Sequence, residues 1–185
     1  MTANPARTTL VVGISDMAVS RDGSAVITTH SLGSCVGVTV YDPLSGAGGM
    51  LHCQLPDSHA NANRDSKAAA TFADTGVAAL IEAVARLGCV ADRRRLVVTA
   101  CGGASMFDGA KGGRPAADAA VSTLQVGKRN VAAVRKALWQ AGLLLVGQDF
   151  GGHAPRNMSL RLRDGAVAVR TNGTVIALNR PREAA

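Results

Sequence analysis

One short segment of the sequence contains a cysteine and a histidine that could act together as a nucleophile and its base. It reads THSLGSCVGVTVYDPLSGAGGMLHCQLP and spans residues 29–56. Cys35 lies in its first half, and His52 follows 17 positions later. An imidazole within hydrogen-bonding reach lowers the pKa of a thiol well below its usual value of about 8.5 and makes the thiolate a nucleophile. The alternative interpretation is a buried hairpin, because free cysteine is among the most buried residue types and a core histidine can be satisfied by backbone groups.

The distance between the two side chains depends on how this segment folds. The alternating valines after Cys35 predict a strand, and residues 50–55 predict a second strand. If residues 35–41 pair antiparallel with residues 46–52, Cys35 lies opposite His52, where opposed Cβ atoms are about 4.5–5.5 Å apart. A longer connecting loop would shift this register, so the direct pairing is a hypothesis.

Residues just before the cysteine can meet two further requirements of thiol catalysis. Gly33 and Ser34 leave backbone N–H groups uncovered, and such groups can stabilise an oxyanion. A Cys–His pair usually has a third group that orients the imidazole. Residues 24–41 contain no Asp or Glu, so the candidates in this stretch are three hydroxyl residues: Thr28, Thr29 and Ser31.

Composition and charge exclude several other classes of protein. The 185 residues predict one domain with a core over about residues 9–178, which is large enough to fold without disulfide or metal. No apolar run is long enough for a membrane span or a signal peptide, and the four cysteines lack metal-ligand spacing. We therefore expect a cytoplasmic protein without a metal. The net charge of +7 favours an acidic partner, but few aromatic residues and only one basic run, Arg93-Arg94-Arg95, disfavour nucleic acid.

Two helices and a series of short strands must position the candidate residues. The helices are predicted at residues 67–87 and 126–142, ending at Gly88 and Gly142, and Asp22-Gly23 predicts a hairpin. Two helices among many short strands indicate an α+β fold with mixed, largely antiparallel sheets. The strand at 143–147 is expected to be buried. The predicted strands cover residues 9–14, 17–20, 25–29, 36–41, 50–55, 96–100, 143–147, 159–163, 166–170 and 174–178.

Four motifs occur in a specific order: LGSCVGVTVYDP, GGMLHCQLP, CGGASMF and VGKRNVAAVRKALWQAGLLLVGQDFGG. In this combination the chain resembles the CheD family of chemoreceptor glutamine deamidases over roughly residues 9–170. The resemblance implies a layered α/β/β sandwich and hydrolysis of receptor glutamine side chains to glutamate with release of ammonia, without metal or organic cofactor. It implies that Cys35 is the nucleophile, that His52 is its acid and base, and that Thr29, six positions before the cysteine, is the third catalytic residue.

The resemblance also implies partners. The substrates would be the cytoplasmic domains of chemoreceptors, and the phosphatase CheC would bind the same face, with Phe107 of GGASMF as a candidate contact unless it is an ordinary core residue. The protein is expected to be a monomer. His153 is not assigned a function, because GGHAPRN departs from the family pattern, and His30 and His59 are expected to be surface or loop residues. The competing interpretations are another thiol hydrolase and a non-catalytic adaptor that binds CheC or receptors.

Overall fold

A computed structural model of the chain describes residues 8–59, 69–105 and 117–180. Within these ranges the chain forms two helices, α1 (Ala73–Gly88) and α2 (Ala117–Gln140). It also forms ten strands: β1 (Thr9–Val12), β2 (Asp16–Ser20), β3 (Val26–Leu32), β4 (Val36–Tyr41), β5 (Gly48–Cys53), β6 (Val97–Gly102), β7 (Leu145–Phe150), β8 (Arg156–Arg161), β9 (Ala166–Thr171) and β10 (Thr174–Ala177).

The strands form two five-stranded sheets that pack face to face. The outer sheet has the order β1-β3-β8-β9-β10, and the central sheet has the order β2-β5-β4-β6-β7. Each sheet contains one parallel pair at an edge, β1 with β3 and β6 with β7, and the other pairs are antiparallel. Both helices pack on the remaining face of the central sheet. The predicted α+β class with mixed, largely antiparallel sheets is confirmed.

Period-two alternation divides the central sheet into two different faces. On β4, Val36, Val38 and Val40 pack against the helices, and Tyr41 packs against the outer sheet. Helix α1 meets the valine face with an i, i+3, i+4, i+7 stripe, which is the spacing that puts apolar side chains on one side of a helix. This stripe is fully buried and consists of Val77, Leu80, Ile81 and Val84.

The predicted hairpin at Asp22-Gly23 is wrong. The Asp22 carboxylate does close a tight turn by accepting hydrogen bonds from the N–H and Oγ of Ser24. However, β2 before the turn pairs with β5 in the central sheet, whereas β3 after it pairs with β1 and β8 in the outer sheet. The turn therefore connects the two layers, because turn chemistry specifies a chain reversal and leaves the choice of strand partner to the rest of the fold.

Several element ends also differ from the prediction. Helix α1 ends with Cys89, not Gly88, in the left-handed conformation (φ 50°), and Gly88 remains helical. A Cβ at Gly88 would lie 2.6 Å from Ser45 Oγ, so close packing rather than helix termination accounts for glycine at this position. Helix α2 begins at residue 117, earlier than predicted, and ends before Gly142 (φ 71°) as predicted. Strand β7 is a half-exposed edge strand rather than a buried one, since Val146 is 57% exposed. In the part of the chain that the structure describes, neither helix is both long and apolar enough to cross a membrane.

Candidate active site

His52 lies between the two sheets, at the end of β5 farthest from the loop that connects β4 to β5. His52 is only 1% exposed, and it pairs with Gly37 on β4 and with Asp16 on β2. The predicted direct pairing of Cys35 with His52 is therefore wrong by two residues, because the connecting loop runs from residue 42 to residue 47.

A two-residue shift keeps Cys35 on the same face of the sheet as His52, because strand side chains alternate with a period of two. Cys35 immediately precedes β4 and packs against the core between the two sheets. It is a diagonal neighbour of His52, a relationship that typically spans about 7–8 Å and is still within reach of long side chains. The two candidate residues therefore share one side of the hairpin.

The imidazole of His52 is oriented by a threonine from the other sheet. Thr29 Oγ1 lies 2.8 Å from His52 Nδ1 and also donates a hydrogen bond to the Val12 carbonyl at 2.8 Å. A hydroxyl has one proton to donate, so with that proton on Val12 the oxygen must accept from Nδ1–H. This arrangement assigns the proton of the neutral imidazole to Nδ1 and leaves Nε2 as a free acceptor. Among the described residues, Nε2 is buried and has no hydrogen-bond partner.

Burial keeps both candidate groups neutral in the free protein. It lowers the pKa of His52 to about 4. Burial also raises the pKa of the Cys35 thiol, and the cysteine's own backbone N–H opposes this rise only in part. The expected lowering of the thiol pKa by the histidine is therefore wrong for the free protein. The pair is a neutral thiol with a neutral base, so the proton must move during the reaction.

The segment formed by residues 33–35, here called the Cys35 loop, is held by all three of its carbonyl groups. The Gly33 carbonyl accepts from the Ala104 N–H at 2.7 Å, and the Cys35 carbonyl accepts from the Gly103 N–H at 2.8 Å. The Ser34 carbonyl accepts from a helix side chain, Asn130 Nδ2, at 2.9 Å. The loop is therefore rigidly placed by the end of β6 and by α2.

Glycines allow β6 and α2 to approach the Cys35 loop closely. A Cβ at Gly102 would lie 2.2 Å from the Cys35 carbonyl oxygen, and this residue also has a positive φ of 119°. A Cβ at Gly127 on α2 would lie 2.7 Å from the Gly103 carbonyl oxygen. Side chains do not tolerate such distances, so the CGGA and GKRN motifs place glycine where backbone meets backbone.

Asn130 is the residue of this site to which the sequence analysis assigned no role. It lies one helical turn after Gly127, is fully buried and donates from Nδ2 to the carbonyls of both Ser34 and Gln54, the second at 2.8 Å. The sequence did contain a signal for it. Asn130 is four residues before Val134, which is buried among apolar side chains, and an asparagine on the buried stripe of a helix needs partners for its amide.

The other cysteines lie in different environments. Cys53 is buried, as expected, and its Sγ donates to the Val36 carbonyl at 3.3 Å, while burial raises its pKa to about 12. Cys101 is also buried, and burial raises its pKa to about 12. Cys89 is exposed at the end of α1. Cys35 and Cys101 both lie on the face of the central sheet that carries His52, but Cys101 is completely buried, whereas Cys35 is partly exposed at the edge of the core.

The sequence also singled out Phe107 and three further histidines. Phe107 is outside the described residues. His30 and His59 are exposed, as expected, and His153 is also exposed. Arg156, which follows the departure from the family pattern, forms a two-point ion pair with Asp149 at 2.7 and 3.0 Å.

Three side chains elsewhere could in principle surround a cation. Ligand atoms of Asp57 and His59, in the loop after β5, and of Asp74, in the first turn of α1, lie within 4.8 Å of one another. Hydrogen bonds account for this grouping, because Asp74 accepts from the N–H and Oγ of Ser58, and Asp57 accepts from the His59 N–H. Such bonds are those of a structured loop rather than of a metal centre.

Comparisons with known proteins show which family the chain resembles. A family model described as CheD chemotactic sensory transduction matches residues 54–171. A protein of Solibacter usitatus named probable chemoreceptor glutamine deamidase CheD is 42% identical over 164 residues, which cover 89% of each chain. A protein of the same name from Pyrococcus horikoshii is 38% identical over 89% of this chain and 94% of its own. A second CheD of Anaeromyxobacter dehalogenans is 40% identical over 91% of this chain and 98% of its own. By these similarities over nearly its whole length, the chain belongs to the CheD family.

Proposed function

We propose that this protein hydrolyses the side-chain amide of chemoreceptor glutamines to glutamate, with Cys35 as nucleophile, His52 as acid and base, and Thr29 as the residue that orients His52. One observation carries this assignment. His52 Nε2 is buried without a partner in the part of the chain that the structure describes, and the hydrogen bond from Nδ1 to Thr29 gives it the protonation state of a base. Cys35 occupies the same face of the hairpin.

The first half of the reaction forms a thioester. The Cys35 thiol proton passes to His52 Nε2 while sulfur attacks the glutamine side-chain carbonyl carbon, so an S–C bond forms and the carbonyl oxygen becomes an oxyanion. The C–N bond then breaks, and the nitrogen leaves as ammonia with the proton from Nε2. Because burial lowers the pKa of His52 to about 4, its imidazolium form readily returns this proton to the departing nitrogen.

The second half regenerates the enzyme. Water attacks the thioester carbon while His52 Nε2 accepts one of its protons, the S–C bond breaks, and the thiol recovers that proton. The product is a glutamate side chain, with water supplying the oxygen that replaces nitrogen. His52 therefore alternates between base and acid while Nδ1 stays bonded to Thr29.

Backbone N–H groups of the Cys35 loop supply the oxyanion donors in this proposal. In a planar trans peptide the N–H points away from the carbonyl of the same peptide. The Gly33 and Ser34 carbonyls are held by Ala104 and Asn130, so the N–H groups of Ser34 and Cys35 face the opposite way. These donors are fixed before substrate arrives, which is the property that lets such groups stabilise a transition state.

The family relationship supports a set of partners as part of the same proposal. The substrates are receptor cytoplasmic domains, the protein acts as a monomer in the cytoplasm, and CheC binds the substrate-facing surface with Phe107 as a contact. The net charge of +7 suits an acidic partner surface. Size-exclusion chromatography with and without CheC tests whether the protein is a monomer and whether the complex forms. If a Phe107→Ala variant binds CheC as tightly as the native protein does, Phe107 is not a contact residue.

The decisive experiment is deamidation of purified receptor cytoplasmic fragments, followed by peptide mass spectrometry and an assay for released ammonia. We expect specific receptor glutamines to become glutamates and ammonia to be released in equal amount. Cys35→Ala should lose all activity because no other group can form the thioester. Cys89→Ser, which changes an exposed thiol, is the matched control and should retain full activity.

The two possible failures have different meanings. Equal conversion by Cys35→Ala would eliminate this cysteine as nucleophile. If the native protein binds receptor or CheC but converts no glutamine, it is a non-catalytic adaptor rather than an enzyme. Cleavage of the receptor backbone instead of its side-chain amides would indicate a thiol protease.

A further inference from the structure

We infer that Asn130 on α2 is a positioning residue that aims the Cys35 backbone N–H at the oxyanion formed during thiol acylation. The inference rests on the proposed function for its reaction, but its geometry is independent of the substrate. Asn130 does not touch the reacting atoms in this scheme. It acts through the Ser34–Cys35 peptide.

The orientation of the Asn130 amide follows from its partners. Both contacts, at 2.9 Å to Ser34 and 2.8 Å to Gln54, end on backbone carbonyl oxygens, which only accept hydrogen bonds. The group facing them must therefore be the NH₂, and both of its hydrogens are used. The opposite orientation would place the Oδ1 against two other oxygens.

The first of these bonds determines the direction of the Cys35 N–H. Asn130 lies in the helical layer, and its bond pulls the Ser34 carbonyl toward that layer. The N–H of the same planar peptide belongs to Cys35 and must point away from the helices. The cysteine side chain also lies on that side, against the core between the two sheets, and its pKa is influenced by this same N–H.

The second bond connects the positioning residue to the strand that bears the base. Gln54 follows His52 by two positions, so one buried side chain holds both the Cys35 loop and the end of β5. The remaining atom, Oδ1, is buried without a partner among the described residues. Retaining an unpaired buried oxygen indicates that the two donor bonds determine the choice of asparagine, since an apolar side chain would leave no such atom.

Two reactions of the Cys35 thiol can distinguish a role of Asn130 in positioning the Cys35 N–H from a merely structural role. Acylation by the activated ester p-nitrophenyl acetate passes through an oxyanion, whereas alkylation by iodoacetamide displaces iodide from a saturated carbon and forms none. Both are measured across a range of pH in a Cys89→Ser background, which removes the exposed thiol. The test variants are Asn130→Ala and Asn130→Leu, the second keeping a branched side chain that cannot donate.

We expect the ratio of acylation rate to alkylation rate to fall by about 10–100-fold in both variants, part of the roughly 10²–10³-fold effect of deleting an oxyanion donor. Alkylation should keep its rate and pH profile, and kcat for receptor deamidation should fall with KM unchanged. Asn157→Asp is the control, because Asn157 uses its oxygen to accept from the Ser31 N–H and aspartate keeps that acceptor.

Each outcome decides the matter. An unchanged ratio in a folded Asn130→Ala variant would overturn the inference, as would a parallel fall of both rates, which would indicate general disruption of the loop. If the native protein deamidates no receptor but the ratio falls as expected, the positioning role stands and the proposed substrate is wrong. Circular dichroism verifies folding of each variant before its rates are compared.

Discussion

The two ends of the β4–β5 hairpin differ in whether their buried polar groups have hydrogen-bond partners. At the closed end, the Asp42 carboxylate is completely buried and accepts from Arg95 Nε at 2.8 Å and Nη2 at 2.7 Å. It also accepts from the Leu44 and Ser45 N–H groups and from Ser45 Oγ. Burial by itself raises the pKa of Asp42, but these hydrogen bonds, that of Arg95 first, outweigh it and lower the pKa to about 2.

At the open end, buried polar atoms are left unpaired. Among the described residues, three side-chain nitrogen or oxygen atoms are buried without a partner: His52 Nε2, Ser105 Oγ and Asn130 Oδ1. Ser105 directly follows the residue that binds the Gly33 carbonyl, and Asn130 binds the Ser34 carbonyl. All three atoms therefore belong to the surroundings of the Cys35 loop.

The comparison separates the end of the hairpin that contributes to stability from the end that contains the candidate reactive groups. A buried polar atom without a partner reduces stability by about 1–3 kcal/mol, so native proteins keep few of them. The closed end has a satisfied ion pair that holds the loop. The open end has His52 Nε2 without a partner among the described residues, and in the proposed mechanism its lone pair accepts a proton during the reaction, as general-base catalysis requires.

The largest expected effect is at the open end. Thr29→Val removes the acceptor of Nδ1–H, so the proton can move to Nε2 and block the base. We expect kcat for deamidation to fall by about 100-fold, the lower end of general-base contributions, and nitrogen NMR of the imidazole to report loss of the Nδ1–H form. Thr28→Val is the matched control, since Thr28 Oγ1 donates to the Met158 carbonyl instead. Equal kcat in the two variants would show that Thr29 does not set the protonation state of His52.

The next effect is on stability at the closed end. Asp42→Asn removes the charge that Arg95 pairs with, and we expect the free energy of unfolding in urea to fall by about 2–3 kcal/mol, the scale of hydrogen bonds to charged groups. Activity per folded molecule should be unchanged, because β4 separates the two ends by roughly 20 Å. The same substitution in an exposed ion pair, Glu82→Gln, should cost less than about 1 kcal/mol. A loss of kcat in folded Asp42→Asn would mean that the two ends are coupled.

The two ends are also expected to lose stability at different acidic pH values. The folded pKa of His52 is about 4, below the ordinary 6.5, so unfolding takes up a proton and stability is lost as pH falls from about 6.5 to 4. The folded pKa of Asp42 is about 2, below the ordinary 3.8, so its contribution is lost only as pH falls from about 3.8 to 2.

Urea unfolding measured at a series of pH values tests this division. His52→Gln should remove the upper part of the pH dependence and keep the lower part, whereas Asp42→Asn should do the reverse. Identical pH profiles for native protein and His52→Gln would show that burial does not hold the imidazole neutral.

The features that the sequence predicted wrongly have a common physical origin. The loop between β4 and β5 is two residues longer than predicted, which moved the partner of His52 from Cys35 to Gly37. Turn signals locate a reversal but do not specify how many residues it uses or which sheet receives the next strand, as the wrong hairpin at Asp22-Gly23 also shows. Similarly, nothing local in Val146 distinguishes an edge strand from a buried one, because that depends on which strand lies beside it.

The sequence alone determined the features that depend on short-range periodicity and on residue type. It placed Cys35 and His52 on one face of a hairpin, and this survived the register error because side-chain direction repeats every two residues. It also identified Thr29 by resemblance to a family motif. Only the tertiary structure decided how these residues meet. Thr29 reaches His52 across the gap between two sheets, and Asn130 reaches the Cys35 loop from a helix 96 residues further along the chain from Ser34. Such contacts depend on how layers pack, and no local pattern in the chain encodes the distance between them.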